Sequence, residues 1–434
     1  MGKVKGKKIN VVTLGCSKNV VDSEHVMAQL AAAGYDVVFD SNGTEARTVV
    51  VNTCGFIGDA KEESINTILG FVRAKEEGAI DRLFVIGCLS ERYAEELRRE
   101  IPEVDAYFGA RDFSGVVRAL TGSEGGAPAT ERMLTTPGHY AYLKISEGCN
   151  WRCAYCAIPL IRGPHVSVPE EQVLEEAGRL VRRGVKELIV VAQDTTYYGV
   201  DLYGERRLGR LLRRLAAIPG VEWVRLHYTY PTGFPDDVLA AMREEPKICR
   251  YIDIPLQHIA DRQLSAMRRG ITKRGTEEFI ARLRREVPGI AIRTTLLVGF
   301  PGESEEDFAE LTDFVERQRF ERLGVFPYSA EEGTPSAEMA DDVPEEVKQA
   351  RVERIMELQR NISHEANVAR IGRKLRVVVD RREGDYYVAR SEYDSPEVDQ
   401  EILIPVAEGR LLPGEFREVV VTACEEYDLY GRLA

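Results

Sequence analysis

The sequence contains no long apolar run, and the longest apolar stretches, such as residues 188–192, are far too short to span a bilayer. The lysine-rich start, residues 1–8, is followed by a short strand-like segment and not by the apolar core of a signal sequence. Both absences predict a cytoplasmic protein with no membrane partner. Because the cytoplasm is reducing, those of the eight cysteines that cluster are better explained as metal ligands than as disulfides.

An excess of basic residues is also absent, since the formal net charge is −13. A protein that binds nucleic acid usually presents a basic surface, and in this chain such a surface would have to be confined to a small patch. The length of 434 residues allows roughly two to four domains. A content of 44% hydrophobic and 30% charged residues is typical of a soluble globular protein.

Three thiols lie close together in the stretch from Cys149 to Cys156, after a strand-like run over residues 140–145. Cys149, Cys153 and Cys156 are spaced so that one loop can point all three sulfurs at one centre. A zinc site needs four protein ligands, or three and a water, and no fourth ligand lies near in the sequence. A disulfide would leave an odd thiol. A four-iron–four-sulfur (4Fe-4S) cluster held by three thiolates leaves one iron open to bind a reactant. The alternative is three merely buried thiols, which rarely show such regular spacing.

This spacing resembles the signature of the radical S-adenosylmethionine (SAM) enzymes, in which the open iron binds SAM and reduces it. Tyr155, directly before the last cysteine, fits the same pattern. The resemblance implies a SAM-binding cluster at Cys149, Cys153 and Cys156.

Three earlier cysteines, Cys16, Cys54 and Cys88, each end a β-branched apolar run that is followed by a helical pattern. Repeated strand–helix units predict a parallel sheet, in which ligands bind beyond the carboxyl ends of the strands. A free cysteine is often simply a small buried hydrophobe. Because all three share one topological position, we expect them to converge and to hold a second iron–sulfur cluster with one open iron.

The chain is predicted to be an α/β protein of three domains: residues 1–125 with the first triad, 135–366 with the second, and a small β-barrel over 368–434. Residues 121–138, rich in Gly, Pro, Ser and Thr, are predicted to link the first two domains. Six strand-like runs in the middle domain are too few for a closed eight-stranded barrel and predict a partial (β/α)6 barrel. These runs cover residues 140–145, 187–193, 223–228, 251–256, 291–298 and 324–328.

Functional groups of such a barrel lie at the carboxyl ends of its strands. The candidate SAM contacts are Tyr155, Gln193, Asp194, Arg293, Gly299, Gly302 and Glu303. Glycines beside a carboxylate suit close passage past a ribose, although a Gly-Pro loop is as often an ordinary turn. His258 is expected to be structural, and Cys249 and Cys424 are expected to be passive thiols outside both triads.

Together these motifs resemble the methylthiotransferase family over nearly the whole chain, and residues 14–19 and 157–163 are most similar to its ribosomal-protein branch. The resemblance implies that a methylthio group replaces a hydrogen on the β-carbon of an aspartate in ribosomal protein S12. It also implies two 4Fe-4S clusters, SAM and an external electron donor. The same chemistry on tRNA adenosine is one alternative, and a non-catalytic iron–sulfur adaptor on the ribosome is another.

Short alternating strands over residues 376–380, 386–390, 401–405 and 418–423 predict a small antiparallel barrel that resembles the TRAM domain. From residue 368 onward there are ten Lys and Arg against fourteen Asp and Glu, a net charge of −4. A basic patch at residues 373–382 is followed by acids expected to repel a nucleic-acid backbone: Asp394, Glu397, Asp399, Glu401, Glu425, Glu426 and Asp428. Complementary charge therefore favours a basic ribosomal protein over tRNA, with a solvated acidic face as the alternative.

Two thiol triads predict two clusters per chain. Anaerobically reconstituted protein should carry about eight irons, four for each cluster. A Cys153→Ala variant should lose the four irons of one cluster and keep the four irons of the other, as measured by iron analysis and absorbance. Zinc in place of iron, in protein purified without air, would contradict the prediction.

Overall fold

The computed structural model describes residues 8–41, 45–122 and 130–434. The residues before Lys8 and the middle of the predicted linker, with the predicted boundary at residue 125, lie outside the described residues. The boundaries at residues 135, 366 and 368 stay predictions. In the described ranges no helix combines the length and the low polarity that crossing a membrane requires.

The first part of the chain is a five-stranded parallel sheet with helices. Its elements are strands β1 (Lys8–Thr13), β2 (Asp36–Phe39), β3 (Thr48–Thr53), β4 (Arg82–Gly87) and β5 (Ala106–Tyr107), and helices α1 (Ser17–Ala32), α2 (Gly58–Glu76), α3 (Cys88–Arg92), α4 (Ala94–Glu100) and α5 (Phe113–Thr121). The strand order is β2-β1-β3-β4-β5. The three predicted strands β1, β3 and β4 are central, where burial on both faces favours continuous Val and Ile. The edge strands β2 and β5 were missed because they are too short to carry a periodic signal.

The second part is an open six-stranded parallel sheet in the order β13-β12-β11-β10-β9-β6, which confirms all six predicted strands. Its strands are β6 (Tyr140–Lys144), β9 (Glu187–Val191), β10 (Trp223–Leu226), β11 (Ile248–Asp253), β12 (Ala291–Val298) and β13 (Arg322–Pro327), with a separate small pair, β7 (Ser146–Glu147) and β8 (Val166–Ser167). Its helices are α6 (Ile158–Arg162), α7 (Glu170–Arg182), α8 (Val200–Tyr203), α9 (Leu208–Ala216), α10 (Asp236–Glu244), α11 (Asp261–Ala266), α12 (Lys273–Glu286), α13 (Glu305–Gln318) and α14 (Glu345–Val368). The largest apolar core lies between one face of this sheet and these helices.

The third part is a closed five-stranded barrel, β14-β15-β16-β18-β17. Its strands are β14 (Lys374–Glu383), β15 (Tyr386–Ser391), β16 (Ile402–Pro405), β17 (Phe416–Cys424) and β18 (Leu429–Leu433). The barrel is confirmed, with two differences from the prediction. The fifth strand, β18, was missed, and it pairs parallel to β16 while the other pairings are antiparallel.

The small barrel docks on the face of the six-stranded sheet that is opposite the core helices. Ser395 Oγ lies 2.9 Å from His227 Nε2, and Asp399 accepts a hydrogen bond from Arg293 at 2.7 Å. Asp394 is fully buried and forms an ion pair with Arg322. Much of the segment between β15 and β16, residues 394–396 and Gln400, is therefore buried against the larger sheet, while Glu397 and Val398 stay exposed.

This docking corrects one expectation from the sequence. Asp394 and Asp399 do not face a partner, because their carboxylates are buried and neutralised by arginines of the larger sheet. A count of charges cannot distinguish a buried ion pair from a solvated face. Glu397, Glu425 and Glu426 do remain exposed.

A buried ion pair network also joins these two parts. Glu187, on β9, is fully buried, with Arg225 at 2.8 Å and Arg390 of the small barrel at 2.5 Å. Burial alone would raise the pKa of Glu187, but Arg390 and Arg225 outweigh it and lower the pKa to about 2. Because removing one partner leaves buried charges uncompensated, this network fixes how the two parts are joined.

A Glu187→Gln variant should lose about 3–5 kcal/mol of the free energy of unfolding, since two buried guanidinium groups would lose their shared carboxylate. In the wild type, the folded pKa lies below the unfolded value of about 4.3, so this contribution is complete above that pH and is lost as the pH falls toward 2. Urea denaturation followed by circular dichroism at several pH values measures both effects.

A matched control is Glu222→Gln, because Glu222 forms a half-exposed pair with Arg376 across the same two parts. It should cost less than about 1 kcal/mol. Equal losses from the two variants would contradict a special role for the buried network.

Candidate active site between two cysteine triads

The cysteines of the first triad all lie at the carboxyl edge of the first sheet. Cys16 is the N-cap of α1, Cys54 follows β3 directly, and Cys88 is the first residue of α3 after β4. The register pairs Thr13 with Asn52, and Thr53 with Gly87, so the strands end at neighbouring levels. The predicted convergence of the three positions is therefore seen in the fold.

Two glycines allow the loops of this triad to approach each other. A Cβ on Gly15 would lie 2.7 Å from the Cβ and 3.0 Å from the Sγ of Cys54. A Cβ on Gly87, whose φ is +103°, would lie 2.4 Å from Asn52 Oδ1 and 2.5 Å from the carbonyl oxygen of Thr53. A side chain at either position would separate the cysteines.

The thiols of the first triad differ in acidity. Burial raises the pKa of Cys16, but Lys18, the backbone N–H of Asn19 and Arg162 outweigh it, so the net shift is downward. Burial raises the pKa of Cys88 to about 11 although Arg162 donates a hydrogen bond to its Sγ at 3.2 Å. Burial also raises the pKa of Cys54, so Cys16 is the one thiol of this triad whose shift favours the thiolate, the form that binds metals.

Arg162 connects the first triad to the second domain. It ends α6, six residues after Cys156, and is 2% exposed. Besides Cys88, its guanidinium contacts Asn19 at 2.6 Å and Asp22 at 2.8 Å. One side chain next to the second triad thus touches the first.

The loop that carries Cys149, Cys153 and Cys156 lies between β7 and α6. Two side chains reach the middle thiol: Arg269 donates to Cys153 Sγ at 3.5 Å, and the Tyr230 hydroxyl lies 3.7 Å from the same sulfur. These contacts place a cation and an aromatic hydroxyl beside the triad.

Aromatic packing orients the same loop. The Trp151 ring stacks on Tyr230 at 4.0 Å between centroids, and its Nε1 donates to Asp194 Oδ2 at 2.7 Å. Burial raises the pKa values of Cys149 and Cys156 to about 12. A raised pKa disfavours the thiolate, so neither cysteine has the character of a free nucleophile.

The donor set of each triad fits a 4Fe-4S cluster. Among the described residues, no three His, Cys, Asp or Glu side chains are arranged around a single ion. A cluster does not require that arrangement, because its three thiolates bind three different irons. All eight cysteines are free thiols. The role of the six triad cysteines as ligands stays a prediction.

Three of the candidate SAM contacts lie beside the second triad. Arg269 donates to the Tyr155 hydroxyl at 3.2 Å, and Asp194 holds Trp151. The amide of Gln193 donates to Glu147 at 2.5 Å, while its buried Oε1 has no hydrogen-bond partner. A buried carbonyl oxygen without a donor fits a site that a polar ligand completes.

The loop after β12 is held together internally. Glu303 accepts from the backbone N–H of Gly299 at 2.8 Å and from Arg351 at 2.8 Å. Gly302 donates its N–H to Asp342 at 2.7 Å. These contacts make the loop a rigid turn against α14, and the predicted SAM contacts at Gly299, Gly302 and Glu303 stay predictions.

The contacts of Arg293 and His258 are with residues other than the triad cysteines. Arg293 forms ion pairs with Asp399 and Asp253, so its guanidinium serves the joint with the small barrel. A SAM contact at Arg293 stays a prediction. His258 is fully buried; its Nδ1 accepts from the backbone N–H of Ala260 at 3.0 Å, and its Nε2 lies 3.6 Å from Glu303. A structural role for His258 stays a prediction.

Sequence analysis did not find Arg162, Arg269, Trp151 or Tyr230 as site residues. Arg162 could have been found from the sequence, because it lies within residues 157–163, which carried the family resemblance. Trp151 lies inside the cysteine motif. Arg269 and Tyr230 follow the second triad by more than seventy residues, and only the fold brings them to Cys153.

Comparison with known families matches three stretches of the chain. The Radical SAM superfamily matches residues 143–315, a family described as Uncharacterized protein family UPF0004 matches residues 8–109, and the TRAM domain matches residues 371–434. These stretches correspond to the two sheets and the small barrel.

Full-length relatives are similar over the whole chain. The protein is 53% identical over 431 residues to ribosomal protein uS12 methylthiotransferase RimO of Bacteroides thetaiotaomicron, spanning 99% of each chain. It is 55% identical over 428 residues to the protein of that name from Porphyromonas gingivalis, spanning 98% of this chain and 99% of the relative.

Solved structures share the fold at low identity. The radical S-adenosylmethionine methyltransferase TsrM from Kitasatospora setae superposes with a TM-score of 0.57 at 16% identity, covering 76% of this chain and 77% of TsrM. The cobalamin-dependent radical enzyme OxsB gives 0.51 at 12% identity, covering 81% of this chain and 56% of OxsB. At these identities the likeness shows the fold alone.

A Gly87→Ala variant should carry about four irons per chain where the wild type carries about eight, because the added Cβ collides with Asn52 and Thr53 and displaces Cys88. Gly34→Ala is the matched control, since Gly34 also has a positive φ, of +88°, but nothing lies within 4 Å of its Cβ position. The control should keep its iron. Iron analysis after anaerobic reconstitution measures both, and equal losses would contradict the steric explanation.

Proposed function

The chain belongs to the ribosomal protein uS12 methylthiotransferase (RimO) family of the radical SAM superfamily, and we propose that it methylthiolates an aspartate of ribosomal protein uS12. The group that is replaced is a hydrogen on the β-carbon of that aspartate. The enzyme is thus a transferase that uses SAM and two 4Fe-4S clusters.

The observation that carries this proposal is the placement of both triads around one short loop. Tyr228 and Tyr230 follow β10, two residues apart. The Tyr228 ring lies 3.3 Å from the ammonium of Lys18, next to Cys16, while the Tyr230 hydroxyl lies beside Cys153. A substrate carbon bound near this loop lies between the two triads, as a reaction with two separate cluster roles requires.

When bound, SAM and the cluster at Cys149, Cys153 and Cys156 supply the one-electron chemistry that removes a hydrogen atom from an unactivated carbon. The cluster at Cys16, Cys54 and Cys88 is the proposed source of the methylthio group. The protein's own part is to hold these centres in place: Trp151, Tyr230 and Arg269 fix the second triad loop, and their packing excludes water from it.

The partner proposal rests on charge. Of the basic residues at the start of the small barrel, Arg376 is paired with Glu222 and Arg381 with Glu401. Exposed Glu397, Glu425 and Glu426 add negative charge to this surface. Such a surface favours encounter with a basic ribosomal protein and opposes an RNA backbone. The relatives are named for uS12, and tRNA as substrate has no such support.

The electron donor is proposed to be an external cytoplasmic reductant, since the chemistry needs an electron that the chain's side chains do not supply. A ribosomal substrate agrees with the cytoplasmic location expected from the composition. The non-catalytic adaptor is disfavoured, because an adaptor has no need for a second triad facing a SAM site.

Alanine at Cys16, Cys54 or Cys88 should spare reductive SAM cleavage but abolish methylthiolation of uS12. Alanine at Cys149, Cys153 or Cys156 should abolish both, since the radical originates there. Chromatography of the SAM cleavage product and mass spectrometry of uS12 measure the two activities.

Cys424→Ala is the control, because this thiol lies on β17 outside both triads. It should keep both activities and its iron. Methylthiolated uS12 from the Cys54→Ala variant would show that sulfur delivery does not depend on the first triad.

A further inference from the structure

Lys18 is a buried cation without a carboxylate partner. It lies at the start of α1, two residues after Cys16, and is 8% exposed. Its ammonium lies over the Tyr228 ring, and among the residues that the structure describes it forms no ion pair. A buried ammonium is costly unless an anion compensates it.

The rest of the described structure follows the opposite rule. Nearly all other buried lysine and arginine side chains form ion pairs with carboxylates: Arg132, Arg162, Arg225, Arg322, Lys348, Arg351 and Arg390. The exception besides Lys18 is Arg269, which contacts Cys153 and Tyr155. The two unpaired cations therefore lie one at each triad.

The position of Lys18 separates it from Arg269. Arg269 serves the triad that is expected to bind SAM. Lys18 lies between that triad and the first one, because Tyr228 beneath it is two residues from Tyr230, which contacts Cys153. Arg162, the other cation near the first triad, is already neutralised by Asp22 and Glu147. Among the described residues Lys18 is thus the cation near the first triad that no carboxylate neutralises; beside it lie the Cys16 thiol and the Tyr228 ring, and its charge also faces the space between the triads.

We propose that Lys18 is a specificity-determining residue that binds the side-chain carboxylate of the substrate aspartate. The inference rests on the proposed function. The β-carbon that reacts is bonded directly to the carboxylate carbon, so a carboxylate lies next to the reaction centre whenever an aspartate is in place. A charge-assisted hydrogen bond from Lys18 compensates the buried ammonium and positions that carbon between the two triads. An asparagine at the same position offers no negative charge.

The test is a double-mutant cycle on binding. Wild-type enzyme and the Lys18→Met variant are each titrated with uS12 and with uS12 in which the target aspartate is replaced by asparagine. SAM is present and reductant is left out, so no turnover occurs. We expect the wild type to bind the aspartate form about ten- to a hundredfold more tightly than the asparagine form, and the variant to bind both equally.

Two controls keep the test decisive. Lys61→Met removes a lysine of helix α2, in the same first part of the chain, that is paired with Glu331, and it should keep the wild-type ratio. Lys18→Gln retains a hydrogen-bond donor without the charge and should lose the ratio as the Met variant does, which covers a Met variant that loses iron. Iron content of all variants is measured in parallel.

A ratio that is the same in wild type and in both Lys18 variants overturns the proposal, and Lys18 then compensates the charge of the cluster itself. The absence of any aspartate preference in the wild type overturns it as well. If reduced wild-type enzyme with SAM yields no methylthiolated uS12, the proposed function fails. Methylthiolation with an unchanged ratio refutes only the role of Lys18.

Discussion

The structure depends on one constraint, that a charge removed from water must meet an opposite charge. The parts of the chain meet through such pairs. Arg132 joins Glu24 of helix α1 to Glu176 of helix α7. Arg162 joins Asp22 of α1 to helix α6, which follows Cys156, and Glu187 joins the second sheet to Arg390. Apolar replacements of such pairs are often as stable, so their value lies in fixing one arrangement.

That arrangement is what the chemistry requires. The two triads are formed by separate sheets, each with its own core, and nothing within either sheet sets the distance between them. Arg162 sets it, because it follows Cys156 by six residues and donates to Cys88. Tyr228 and Tyr230 add two further contacts, of the Tyr228 ring with Lys18 and of the Tyr230 hydroxyl with Cys153. The residues that hold the two triads at a fixed separation therefore belong to the candidate site together with the cysteines.

The sequence predicted what local pattern encodes. The strands that precede Cys16, Cys54 and Cys88 and the six alternating strands follow from periodicity and parallel-sheet topology, and the fold confirms them. The role of the two triads as cluster ligands stays a prediction. The contacts of Arg269 with Cys153 could not be predicted, because they join residues 116 apart along the chain. Short strands such as β5 and β18 carry too few residues for a period to appear.

The exposed charge of the small barrel was the feature hardest to predict, because a count of charged residues does not tell which of them are buried. Asp394 and Asp399 count toward the acidity of the small barrel, yet both neutralise arginines of the larger sheet. The same pairs cover polar groups on the inner face of an open six-stranded sheet, where Tyr140 and Tyr251 donate to Glu397 and Asp399. In a closed barrel, further strands would cover the inner face of the sheet. In this open sheet, the small five-stranded barrel covers part of that face. The small barrel therefore closes one side of the partial barrel, because its own polar groups supply the partners that further strands would have supplied.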